Sequence, residues 1–139
     1  MSRAMLHLSI PIKDIQSSLH FYRDLLGCEA TRIQDDRIDF HFFGHHLVAQ
    51  LSPEECLHRS VNIGVDRYPL RHFGVIVESS DYDGMLERMT LAGTPFAMHS
   101  KKIFIGTPRE QSVCIVYDPS GNAVEVKGLP DPQQVFSSQ

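Results

Sequence analysis

The sequence predicts an α+β fold in which one layout, strand–helix–three strands, occurs twice. Three observations predict it. Apolar residues alternate in short runs, as half-buried strands require. Two longer runs carry apolar residues at helical spacing. The two helical runs are each preceded by a similar strand and ended by a glycine: twenty positions separate His7 from Gly27, and twenty-one separate His72 from Gly93. A period near half the chain length points to an internal repeat.

The first strand is MLHLSI, residues 5–10, closed by Pro11. Leu6, Leu8 and Ile10 share one face, and Met5, His7 and Ser9 the other. Asp14 is the expected N-cap, since its carboxylate can accept open N–H groups of the first helical turn. Ile15, Leu19, Tyr22, Leu25 and Leu26 form the stripe of the following helix, and Gly27 ends it. Strands follow at 28–33, 37–43 and 46–51, the last two joined by a turn at Gly44-His45.

The second copy opens at RHFGVIV. Phe73, Val75 and Val77 share a face, opposite His72 and Gly74. Ser80 or Asp81 is the expected cap. Tyr82, Met85, Leu86, Met89 and Leu91 form the stripe, and Gly93 ends the helix. Strands are expected at 94–99, 111–117 and 122–127. Asp118-Pro119-Ser120-Gly121 reads as a turn, with Pro presetting φ at its second position. The whole is one domain, residues 1–128: module one is 5–51, a linker is 52–70 and module two is 71–128. Residues 129–139 read as a flexible tail.

Composition bounds the function. Of 139 residues, 42% are apolar and 22% charged, the balance of a globular protein. The net charge of −4 and the absence of a Lys/Arg cluster argue against a nucleic-acid partner. No apolar run is long enough to span a bilayer. The start lacks signal-peptide features. Three cysteines without paired spacing suit a reducing cytoplasm better than a disulfide framework. Histidine stands out, with eight residues.

The motifs "HLSIPIKDIQSSLHFYRDLLG", "FFGHHLVAQL", "RHFGVIV" and "YDPSGNAVEVKG" together resemble the vicinal oxygen chelate superfamily, over roughly residues 5–128. That group includes glyoxalase I, extradiol dioxygenases and the bleomycin- and fosfomycin-resistance proteins. The chain is most similar to its small single-domain branch of predicted extradiol dioxygenases. The resemblance implies paired βαβββ modules forming a cupped eight-stranded sheet around a divalent metal. Ligands come from the first and last strands of each module, which here are His7, Gln50, His72 and Glu125.

Each of these polar residues stands opposite a bulky apolar set on its own strand. A carboxylate turned into the cup is costly without a partner, so Glu125, between Val124 and Val126, reads as a ligand. A solvent-facing Glu on a one-sided strand is the plain alternative. Gln50 binds directly, through water, or only lines the pocket.

Two His and one carboxylate are the set of non-haem Fe(II) oxygenases. The resemblance thus implies a dioxygenase-like enzyme whose small substrate chelates the metal through adjacent oxygens. Fe(II) is favoured, and Ni(II), Zn(II) or Mn(II) are alternatives. Ring-cleaving members also place a Tyr and a His near the metal. The Tyr position falls on Ile115, and Tyr117 lies two residues on. Glu125, His46 and Tyr117 are the candidate catalytic residues, with His41 and His99 as further acid/base candidates. Phe104, Arg109 and Ile115 are the expected pocket residues, the first two on a long loop at 101–111. A glyoxalase-like isomerase or lyase and a non-catalytic resistance-type binder are the other readings. A homodimer is expected, since family members often dimerise.

Overall fold

The computed structural model describes residues 4–56, 69 and 71–138. The expected repeat is present: each half supplies one strand, one helix and three more strands. Among the described residues, eight strands form two four-stranded sheets. By backbone contacts the chain divides into two compact units. The first holds β1 (His7–Ile12), β2 (Glu29–Ile33), β3 (Arg37–Phe42) and β4 (His45–Leu51), and takes in Asp118–Asn122. The second holds β5 (Phe73–Glu78), β6 (Phe96–Ile103), β7 (Gln111–Tyr117) and β8 (Ala123–Leu129).

In the first unit the strand order is β1-β4-β3-β2, with β1 parallel to β4 and the rest antiparallel. Period-two alternation sorts the faces. Ile10, Ile12, Ile38, Phe40, Leu47 and Ala49 are buried. His7, Ser9, His46, Gln50, Arg37, Asp39 and His41 fall on the opposite face by register. Pro11 does not close the first strand but lies inside it. Among the described strands β1 pairs with β4 alone, and its ladder bonds use the even positions, such as Leu6 and Ile12. A missing N–H at position 11 therefore costs no ladder bond.

Asp14 caps α1 (Ile15–Leu19) as expected, its Oδ2 accepting from the Ser17 N–H at 2.7 Å. The helix then widens into a π-helical turn, His20–Leu25. The extra residue in that turn shifts the stripe and brings Phe21 inside along with Tyr22, Leu25 and Leu26. Gly27 ends it at φ 80°. The β3–β4 turn is Phe43-Gly44, not Gly44-His45. Both residues have positive φ, 50° and 87°, which a tight two-residue hairpin demands.

The Asp118–Gly121 turn forms as expected, with the Gly121 N–H bonded to the Asp118 carbonyl. Its side chain does more than the motif announces. Asp118 is buried, and its carboxylate accepts from Ser120 N–H, Asn122 N–H, Asn122 Nδ2 and the Tyr22 hydroxyl, all at 2.8–2.9 Å. Ser120 and Asn122 also hold β1 and its exit, through the Lys13 N–H and the Pro11 carbonyl. Burial pushes the Asp118 carboxyl upward, and these donors pull part of the shift back. Burial first, then Asp118, pushes Tyr22 well above the usual phenol range.

In the second unit the order is β5-β8-β7-β6, with β5 parallel to β8. The cap of α2 (Ser79–Leu91) is Glu78, which makes no side-chain capping bond. Ser80 and Asp81, the expected caps, lie inside the first turn, where Asp81 suits the positive helix end. Tyr82, Met85 and Met89 are buried, whereas Leu91 is 81% exposed. Strand β6 runs longer than expected, so the 101–111 loop shortens to 104–110. Leu129 is buried in β8, and Asp131 caps a short 3-10 helix over Pro132–Phe136. These residues take regular structure where the sequence predicted a flexible tail. The expected linker, beyond Cys56, lies almost wholly outside the described residues.

Two glycines are required by close approach. A Cβ on Gly128 would stand 2.5 Å from the Tyr82 Cβ. A Cβ on Gly74 would collide with the backbone of Glu125, its ladder partner on β8. Backbone cannot swing aside as a side-chain tip can. Gly74→Ala is expected to lower stability by about 1–3 kcal/mol or more by prising β5 from β8. Urea denaturation reads this directly, and an unchanged midpoint would refute the close approach.

Candidate functional site

The second unit brings two of the expected ligands together. His72 stands one residue before β5, and Glu125 is the third residue of β8, beside Gly74 in the ladder. Parallel pairing therefore carries both side chains to the same end of the sheet. His72 Nε2 lies 3.5 Å from Glu125 Oε1, and both side chains are mostly buried, 21% and 16% exposed. His72 Nδ1 lies 2.6 Å from the Pro69 carbonyl. A carbonyl only accepts, so Nδ1 carries the proton and donates it. In the neutral ring Nε2 is then a lone pair that faces a carboxylate oxygen. Two electron-rich atoms in that arrangement suit a shared cation. An imidazole nitrogen and a carboxylate oxygen are donors of the kind a divalent ion takes. Lys127, on the same strand face, places Nζ 3.8 Å from the same oxygen.

Around this pair the ladder is informative. Ile115 lies directly across from Glu125, Val113 across from Lys127, and Tyr117 across from Ala123. Ile115 is fully buried and offers no polar group. Tyr117 is on the Glu125 face, and its buried hydroxyl has no hydrogen-bond partner among the described residues. On the 104–110 loop, the Arg109 guanidinium sits 4.2 Å from the Phe104 ring centroid, and Glu110 accepts from the Gly106 N–H. Phe104 has φ 55°, so the loop turns sharply there. His99 stacks on Phe96 at 5.1 Å.

The first unit holds His7, His46 and Gln50. His7 and His46 are ladder partners on β1 and β4, and their Nδ1 atoms are 2.9 Å apart. The rings stack, with centroids 4.9 Å apart. His46 Nε2 is 3.0 Å from Asp39 Oδ2 on β3. The hydrogen bond from His46 is the largest cause holding Asp39 below the usual carboxylate range, and Arg37 and Arg32 add to it. Gln50 Oε1 accepts from the Ser9 hydroxyl at 3.0 Å. Both line an open groove of about 450 Å³ with Pro11, Asp36, Ser52 and Glu55. His41 is exposed, paired in register with His46. His20 and Asp24 pair on the helix surface.

Among the described residues, no group of three or more His, Cys, Asp and Glu is gathered closely enough to hold a metal ion. His72 and Glu125 meet within one unit, and within the other His7 meets His46, which in turn meets Asp39. Sequence reasoning missed Asp39, Lys127, Ser9 and the Pro69 carbonyl. Lys127 shared the parity of Glu125, which was a usable signal. Asp39 alternated with Ile38 and Phe40, but nothing local tied it to His46.

The comparisons agree with this layout. The sequence matches the Glyoxalase/Bleomycin resistance protein/Dioxygenase superfamily over residues 4–126. The chain belongs to that superfamily, the vicinal oxygen chelate group. It is similar to a glyoxalase/bleomycin resistance protein/dioxygenase from Alicyclobacillus acidocaldarius, at 31% identity over 96% of each chain and TM-score 0.74. Its fold is also that of a lactoylglutathione lyase from Agrobacterium tumefaciens, at 20% identity over 98% of each chain and TM-score 0.66. A third likeness is to the fosfomycin resistance protein FosX from Listeria monocytogenes, complexed with Mn(II) and sulfate. There identity is 14%, coverage 93% of this chain and 94% of that one, and TM-score 0.65. No curated protein matches the chain. Among the described residues, no helix is long and apolar enough to cross a membrane.

Proposed function

We propose that this protein is a mononuclear metal-dependent enzyme acting on a small substrate with two adjacent oxygens. The proposed ligands are His7, His72 and Glu125, with Gln50 as a weaker fourth, and the favoured ion is Fe(II). The reading is supported above all by His72, whose Nδ1 is tied to Pro69 while Nε2 faces the Glu125 carboxylate. The manganese complex of FosX supports it at the level of the fold.

When bound, the ion would supply open positions for substrate oxygens and Lewis-acid polarisation of them. The chain's own residues do the rest. The Pro69 carbonyl holds the His72 ring in place. Lys127 supplies positive charge beside Glu125, suited to an anionic substrate oxygen. Tyr117 offers a hydroxyl that can donate a proton on the same face. Phe104 and Arg109, stacked together, present one cationic and aromatic surface for the substrate's remainder.

A dioxygenase-like reaction remains the first reading of this ligand set. One observation favours a second. The buried Ile115 stands across from Glu125, where ring-cleaving members carry a Tyr. That favours an isomerase or lyase using the ion only as a Lewis acid. The proposal includes a homodimer, which light scattering checks.

Elemental analysis of untagged protein, purified without oxygen, tests the reading. About one iron per chain supports the dioxygenase, followed by oxygen uptake with catechols. About one nickel, zinc or manganese supports the second reading. No metal after reconstitution overturns both in favour of a binding protein.

A further inference from the structure

Four polar side chains crowd one face of the first unit's sheet: His7, His46, Asp39 and His41. Three form a chain that no local motif announces. Asp39 Oδ2 meets His46 Nε2 at 3.0 Å, and His46 Nδ1 meets His7 Nδ1 at 2.9 Å. The elements impose it. Register places His7 beside His46 across β1 and β4, and Asp39 lies diagonally from His46 across β3 and β4.

Hydrogen positions follow from donor and acceptor chemistry. An ionised carboxylate only accepts, so His46 Nε2 carries a proton. A neutral imidazole has one proton, so His46 Nδ1 is a lone pair. It can bond to His7 Nδ1 only if that nitrogen is the donor. His7 Nε2 is then left as a lone pair, the form in which an imidazole binds a metal.

We propose that Asp39 and His46 are positioning residues that fix this tautomer of His7. The inference rests on the proposed role of His7 as a ligand. The second unit reaches the same state by a shorter route, since the Pro69 carbonyl takes the Nδ1 proton of His72. Both histidines thus present Nε2. Ligating histidines commonly depend on such outer partners, whose loss costs about 10–100-fold in metal affinity. Here the outer partner of His7 is itself a histidine, held in turn by a carboxylate.

The test is nitrogen NMR of the imidazoles in metal-free protein at about pH 8, above the usual imidazole range. The expected spectrum has His7 protonated on Nδ1 and His46 on Nε2. His46→Phe keeps a ring but removes the acceptor, and should move His7 toward the Nε2–H form. Iron affinity, titrated without oxygen, should fall about 10–100-fold in the same variant. Asp39→Asn keeps an oxygen acceptor and should fall less. A purely structural role would lower the melting temperature and leave the His7 tautomer where it was. Wild-type His7 carrying its proton on Nε2 overturns the proposal, as does an unchanged tautomer in His46→Phe. If the wild type shows the expected tautomers but binds no ion, the proposed function fails and the positioning chain stands.

Discussion

Glu125→Ala is expected to abolish stoichiometric metal binding while the protein still folds. Glu125 is half-buried, and its side chain meets His72 and Lys127 rather than the core. Removing it leaves His72 still bonded to the Pro69 carbonyl and Lys127 with its flexible stem, so the thermal midpoint should move little. The effect on the ion is of another kind. The carboxylate is the one anionic donor of the proposed set, and its loss should exceed the roughly 10–100-fold cost of an outer partner. Calorimetric titration and elemental analysis measure it. Circular dichroism checks the fold. Retention of one ion per chain in this variant would remove Glu125 from the ligand set, and Lys127 would then be its whole explanation.

The second large effect is structural. Asp118→Ala should destabilise the protein by about 3 kcal/mol or more, because four buried or half-buried donors lose their acceptor together. Those donors come from Ser120, Asn122 and Tyr22, and the last is 96 positions away in the chain. Tyr22→Phe, which loses one hydrogen bond to the carboxylate, should cost about 1.5–3 kcal/mol. The double variant should cost less than the sum, since both changes remove the same bond. Urea midpoints of the three variants give the coupling. A loss below about 0.5 kcal/mol for Asp118→Ala, the range of ordinary surface changes, would refute the account.

Much of the fold was legible because its signals are local. Asp14, Gly27, Gly93 and the Asp118–Gly121 turn are set by the chemistry of a few adjacent residues, and each formed where the sequence placed it. The errors are also instructive. Pro11 was read as a strand end because a missing N–H usually is one, yet the edge position of β1 makes it harmless. The turn at Phe43-Gly44 was misplaced by one residue because Phe is a poor candidate for positive φ. Leu91 fitted the apolar stripe of α2 and is nonetheless exposed, since it stands in the last turn, beyond the face that packs.

The site was half legible. Strand parity alone set His7 against Leu8 and Ile10, and Glu125 against Val124 and Val126. It also put Tyr117 and Lys127 on the face of Glu125. By itself the sequence determined the repeat, the elements and the face each polar residue occupies, since period and turn chemistry act over a few positions. Only the tertiary structure decided the partners. Register between paired strands chose His46 for His7, Asp39 for His46 and Gly74 for Glu125. Those choices depend on how separate strands align, and no short window of sequence contains that alignment.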